Sequence, residues 1–330
     1  MSSEASWLRR ASVAVAALAL GMTGCGGGDT AAVSVPGECG SPHVVVTTTI
    51  LGDIVGNVVG DRGRVEVLMP VGADPHSFQP SASQAAALRE ADLVVVNGLG
   101  LEEGLQDLIE AAEADGVRVV EAASFVEALP FTWEEEEGGH QGEAVDEEGH
   151  GHGAFDPHIW TDPARMAGVA TGLGEALAAA DPACADRWRA AAEGYRQELL
   201  RLDGEIEAML DTVPAEQRKL VTNHNAFGYF AERYGFEVLG AIIPGGATFA
   251  APSPADLAAL VETLEREGVR AIFAETTMPA GLAEALAAEV GGQMVVVTLY
   301  TGSLGPSGSG AETYIGMQRT NAERIAAALS

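Results

Sequence analysis

Three histidines stand in short, turn-like motifs far apart in the chain. His76 closes Gly72-Ala73-Asp74-Pro75-His76, His158 lies in Asp156-Pro157-His158-Ile159-Trp160-Thr161-Asp162-Pro163, and His224 follows Val221-Thr222-Asn223. Neutral imidazole is a good ligand for zinc, copper and nickel, whereas manganese prefers oxygen donors. An Asp-Pro-His triplet is turn chemistry of the kind that can aim a ring into a cleft. Singly, each histidine could be an ordinary surface or hydrogen-bonded side chain. Together, with His43 the one other histidine in the region that reads as folded, they favour a shared metal site. No Cys/His spacing of a zinc finger is present.

Those motifs need a frame that brings loop ends together. Valine-rich and β-branched runs at 43–49, 65–69, 92–97 and 118–121 read as strands, with helical spacing at 50–60, 83–90 and 102–114 between them. Ser83 is placed to cap the helix at 83–90. The alternation resumes after residue 211, with strands at 219–222, 238–243, 270–274 and 294–299 and helices at 226–234, 254–267, 279–290 and 311–329. Strands joined by helical crossovers indicate parallel βαβ units. A helix at 163–180 and a Pro-free amphipathic stretch at 183–211 lie between the two sets. The predicted architecture is α/β: two βα lobes with parallel sheets, 43–182 and 212–330, joined by one long rigid helix. In open sheets of this kind ligands bind beyond the carboxyl ends of the strands, where His76 and His224 fall.

The chain has 330 residues and a net charge of −30, which speaks against nucleic acid and acidic lipid as partners. Its one membrane-like run, at 11–22, is shorter than the roughly 20 residues of a spanning helix. With Arg9 and Arg10 before it and Met22-Thr23-Gly24-Cys25 after it, it reads as a signal peptide, 1–24, ending at a lipidation site on Cys25. Residues 25–42 read as a flexible tether. Export permits a disulfide between Cys39 and Cys184, although spacing alone leaves their pairing open. Residues 131–157 interrupt the lobe with an acidic run and His140, His150 and His152, a composition that cannot bury a core. This loop reads either as a solvated insertion or as a weak collector of metal ions.

Several of these motifs, in this order, resemble those of the zinc- and manganese-binding lipoproteins that feed bacterial ABC importers. Besides the three histidine motifs, Thr222-Asn223-His224-Asn225-Ala226-Phe227-Gly228-Tyr229-Phe230, Ile272-Phe273-Ala274-Glu275 and Thr313-Tyr314-Ile315-Gly316-Met317 carry the likeness, which covers nearly all of 43–330. The resemblance implies that His76, His158 and His224 are metal ligands in the cleft between the lobes. It implies a lipid-anchored, extracytoplasmic solute-binding protein, acting as a monomer, that delivers its ion to an ABC permease and its ATPase subunit. No enzymatic activity is implied.

Relatives place an aspartate in a Thr-Asp-Ser segment where this chain has Thr301-Gly302-Ser303. Water, Glu275 or a loop residue would then complete the shell, Glu275 otherwise holding a loop, capping a helix or standing in the layer behind the ligands. Asp156, Asp162 or backbone carbonyls are candidates to orient the rings. A nitrogen-only donor set favours Zn2+ over manganese. Two other functions fit the same residues: a zinc-dependent hydrolase using an open three-histidine site, and a surface adhesin, a label some relatives carry.

Overall fold

The computed structural model describes residues 39–131, 154–243, 248, 251–291 and 294–330. The signal peptide, Cys25, most of the tether and His140, His150 and His152 lie outside the described residues.

The first sheet is built from β1 (His43–Val46), β2 (Arg64–Val67), β3 (Leu93–Val96) and β4 (Val119–Glu121), all parallel, in the order β2-β1-β3-β4. Helices α1 (Thr49–Val59), α2 (Ala82–Glu90) and α3 (Gln106–Ala114) make the crossovers. The second sheet repeats the plan with β5 (Lys219–Thr222), β6 (Glu237–Ala241), β7 (Ala271–Glu275) and β8 (Val295–Leu299), ordered β6-β5-β7-β8. Its helices are α6 (Gly228–Tyr234), α7 (Pro254–Glu267), α8 (Gly281–Val290) and the terminal α9 (Tyr314–Leu329). In each sheet the order reverses between the first strand and the third, so each lobe has one crevice at the carboxyl ends of those two strands.

Two helices join the sheets. α4 (Pro163–Ala180) leads through a 3-10 turn into α5 (Ala185–Leu210), whose 26 residues span about 39 Å. Trp188, Ala192, Tyr195, Leu199, Leu202, Ile206 and Leu210 are buried along one face of α5 at spacings of three and four. They enter a core that runs without a break from Val44 and Ile54 through α4 and α5 to Tyr229, Phe273 and Ile325. Polar ties reinforce it: Arg233 and Tyr234 donate to the buried Asp203 of α5, and Tyr314 N–H donates to Asp53 of α1. α9 packs on α5 and α1 as well as β8, so the chain's end belongs to both lobes. Among the described residues no helix is long and apolar enough to cross a membrane.

Boundaries moved where local capping outweighed composition. Thr48 and Thr49 suit a strand, yet the Thr48 hydroxyl accepts the Leu51 N–H and starts α1. Ser81, not Ser83, caps α2, because Gln84 three residues on returns the bond and closes a capping box. The helix expected from 102 starts with a 3-10 turn and becomes α-helical at Gln106. Cys39 and Cys184 are bonded, with Cα atoms 5.3 Å apart.

Candidate metal centre

His76 lies in the loop between β2 and α2. The Asp74 carboxylate accepts the His76 N–H at 3.1 Å with Oδ1, and with Oδ2 the hydroxyls of Ser77 at 3.0 Å and Thr248 at 2.5 Å. The same device recurs at His158, where Asp156 Oδ1 accepts the backbone N–H at 2.9 Å. Here the carboxylate also takes the ring's Nδ1–H, at 2.7 Å. Asp162, also considered as an orienting group, instead caps α4 by accepting the N–H groups of Ala164 and Arg165.

The segment bearing His158 is anchored from both sides of the cleft. Asn97, at the end of β3, donates to the Pro157 carbonyl at 2.8 Å, and Tyr229 of α6 donates to the Asp156 carbonyl at 2.7 Å. Trp160 donates through its indole to the Thr301 carbonyl, and its own carbonyl accepts from Tyr314 and Gln318 of α9. Behind Asn97, the buried Glu102 accepts the backbone N–H groups of Asn97 and Gly98 and the Thr47 hydroxyl. Burial pushes the Glu102 carboxyl above its usual range.

His224 follows β5 directly, and Glu275 ends β7 on the far side of the crevice. Glu275 Oε1 accepts the His224 backbone N–H at 3.1 Å and ring Nδ1–H at 2.6 Å, while Oε2 accepts the Thr301 hydroxyl at 2.5 Å. Both carboxylate oxygens are engaged behind the ring. Burial alone would lower the His224 pKa, but the Glu275 charge and hydrogen bond outweigh it and hold the ring above its ordinary value of 6.5. Burial alone would likewise raise Glu275, and the His224 charge and hydrogen bonds keep it below the usual carboxylate range.

The three rings meet. His158 Nε2 lies 3.2 Å from His76 Nε2 and 3.1 Å from His224 Nε2, and the three side chains are only 1–4% exposed. With Nδ1–H of His158 and His224 given to carboxylates, their Nε2 atoms face each other as lone pairs whenever both rings are neutral. Two acceptors at that separation repel unless a proton or cation lies between them. A tetrahedral ion bound at ~2.0–2.1 Å would hold its nitrogens about 3.3 Å apart, close to the spacing observed. Among the described residues this is the one group of three or more His, Cys, Asp or Glu whose ligand atoms all fall within 4.8 Å of one another.

Gly302 brings no donor. A Cβ built there would sit 2.9 Å from Pro75 Cδ, so any side chain at this position must push on the residue preceding His76. His43 is away from the cluster and pairs with Glu66. The anchors Asn97, Tyr229 and Trp160 were not recognised from sequence. Only the repeated Asp-Pro-His triplet hinted that a carboxylate two residues back would organise each histidine turn.

A model of the periplasmic zinc-uptake complex component A (ZnuA) matches residues 44–328. The chain is 34% identical over 319 residues to the manganese-binding lipoprotein MntA of Halalkalibacterium halodurans, covering 97% of this chain and 98% of that protein. To the zinc-binding protein TroA of Treponema pallidum it is 32% identical over 295 residues, covering 88% and 90%. The solved structure of TroA superposes with a TM-score of 0.76 at 31% identity, over 88% of this chain and all of that one. A mutant of the laminin-binding adhesin Lmb of Streptococcus agalactiae superposes at 0.73 with 28% identity, again over 88% and 100%.

Proposed function

Because the chain belongs to the ZnuA family, the periplasmic component A of zinc-uptake complexes, we propose that its three buried imidazoles bind one zinc ion outside the cytoplasm and surrender it to an ABC permease. A protein of this family is a receptor and not an enzyme, and the ion is cargo that leaves unchanged. The observation that carries the zinc reading is the trio of Nε2 atoms 3.1 and 3.2 Å apart, with Nδ1 of two of the rings on a carboxylate, so that the neutral ring turns its Nε2 lone pair to the cluster. A donor set of nitrogen alone suits zinc better than manganese. Glu275 is committed to His224 and Thr301, so solvent is the fourth ligand in this reading.

His76, His158 and His224 act as ligands, Asp156 and Glu275 as the groups that fix ring orientation. A lipid on Cys25 holds the monomeric receptor at the membrane surface, with the stretch before Cys39 as its tether. The division into a lobe at 43–182, a link at 183–211 and a lobe at 212–330 gives the permease two faces to grip. The test is titration of the full chain with zinc and with manganese, each competed against a chelator. One zinc per chain, bound more tightly than manganese, is the expected result. Preference for manganese, the ion named for MntA, would overturn the choice of zinc.

Glu275→Gln separates the roles of its shape and its charge. Loss of the charge-assisted partner of a metal-bound histidine typically costs ~10–100-fold in affinity, and that weakening is expected at pH 8. The pH profile should move as well. Metal needs neutral His224, so in the wild type affinity falls as pH drops through a ring pKa that Glu275 holds above 6.5. Without the charge that pKa falls and the proton competes only at lower pH. The two affinity curves should therefore converge toward acid, and parallel curves would refute the role given to Glu275.

A further inference from the structure

His158 is fixed through Asp156, Trp160 and Asn97, and His224 adjoins a central strand with Glu275 behind it. His76 sits on a loop that turns at Gly72, whose φ of +85° is a conformation that favours glycine. Val71 beside it is 52% exposed. Two hydroxyls tie this loop to the other lobe. Ser303 Oγ accepts the Gly72 N–H at 2.8 Å, and Thr248 Oγ1 donates to Asp74 Oδ2 at 2.5 Å.

Ser303 is 2% exposed and its oxygen is saturated. It donates to the Leu304 carbonyl at 3.0 Å and lies 3.2 Å from Thr49 Oγ1 of α1, which itself accepts the Leu304 N–H at 2.9 Å. Between the two hydroxyl ties, Pro75 rests against Gly302. Each tie is a single hydrogen bond between lobes otherwise joined by a continuous core. Both join the loop that carries His76 to the lobe that carries His224.

We propose that Ser303 and Thr248 are positioning residues for His76, and that they set the rate at which the bound ion leaves. His76 detaches first, while His158 and His224 stay in place. Release then needs two hydrogen bonds broken at the loop, not rotation of one lobe against the other. The proposal rests on the zinc reading above, and its test is built so that the two can fail separately.

Ser303→Ala, Thr248→Val, Thr248→Ser and the Ser303→Ala/Thr248→Val double variant are made in the full chain. Zinc release is followed by rapid mixing with excess chromophoric chelator, and hydrogen exchange is followed in the metal-free protein. One hydrogen bond lost should raise the release rate roughly five- to tenfold for each of S303A and T248V, with near-multiplication in the double variant and near-wild-type release in T248S. Association should change far less. Exchange should quicken at the amides of Gly72, Ala73, Asp74, His76 and Ser77 and not at those of His158 or His224. Unchanged release in both single variants overturns the proposal, as does exchange that quickens across the whole chain, the mark of a general stability role. If the wild type takes up no zinc, the functional reading falls, while exchange at 72–77 still decides whether these hydroxyls hold the His76 loop.

Discussion

His158→Ala is expected to abolish tight metal binding. Its Nε2 lies within 3.2 Å of each of the other two ring nitrogens. Removing it leaves His76 and His224 as a two-point site, since among the described residues the metal-ligating group consists of the three histidines alone. Glu275 is held by His224 and Thr301, and Asp156 lies behind the deleted ring. Affinity should fall by roughly a thousandfold or more, beyond the ~10–100-fold that follows loss of a ligand's hydrogen-bonding partner. Calorimetric titration of the variant against the wild type measures it, with circular dichroism establishing that the variant is folded. Asp156 keeps its bond to the backbone N–H of residue 158, which preserves the turn. Undiminished 1:1 binding in this variant would place the ion elsewhere and end the three-histidine account.

The second large effect is on stability. The Cys39–Cys184 bridge closes a loop across 145 positions, which contains the whole first sheet and α4. In the chain-entropy description a loop of that length restricts the unfolded chain by about 5 kcal/mol, and native bridges of this kind typically contribute ~2–5 kcal/mol. Cys39→Ser is the clean probe, because Cys39 is exposed and its loss opens no cavity, whereas Cys184 is buried. Urea unfolding should give a fall of ~2–5 kcal/mol, reproduced in the wild type by reductant. Metal affinity of the folded protein should be retained, since the bridge shares no hydrogen bond with the residues around the cluster. A loss below ~1 kcal/mol would mean that the unfolded chain is already restrained without the bond.

Much of the frame can be read locally. The valine runs of β1 and β3 are apolar and bounded by turn residues, and α4 and α7 begin at Pro163 and Pro254, each behind a capping side chain. The details that slipped were contests between local signals, such as Thr48 serving as a cap where its β-branched shape suits a strand. The site divides in the same way. The Asp-Pro-His turns are short-range objects, visible in three letters. The bond from Thr301 to Glu275 and that from Trp160 to Thr301 join residues 26 and 141 positions apart, and no window of sequence contains both partners. Gly302 is the instructive case. Its lack of a side chain is plain in the sequence, but only the fold shows that Pro75 stands against the space a side chain would need.

The apolar interior that passes through α4 and α5 from one sheet to the other has a consequence for how the molecule responds to its cargo. Halves that shared only a thin contact would melt separately, and an ion in the cleft would tighten each to a different degree. A shared core predicts that the halves unfold in one transition, which cargo bound at three nitrogen atoms shifts as a whole, and Trp188, sealed inside the helical spine, is a buried fluorophore that should follow it.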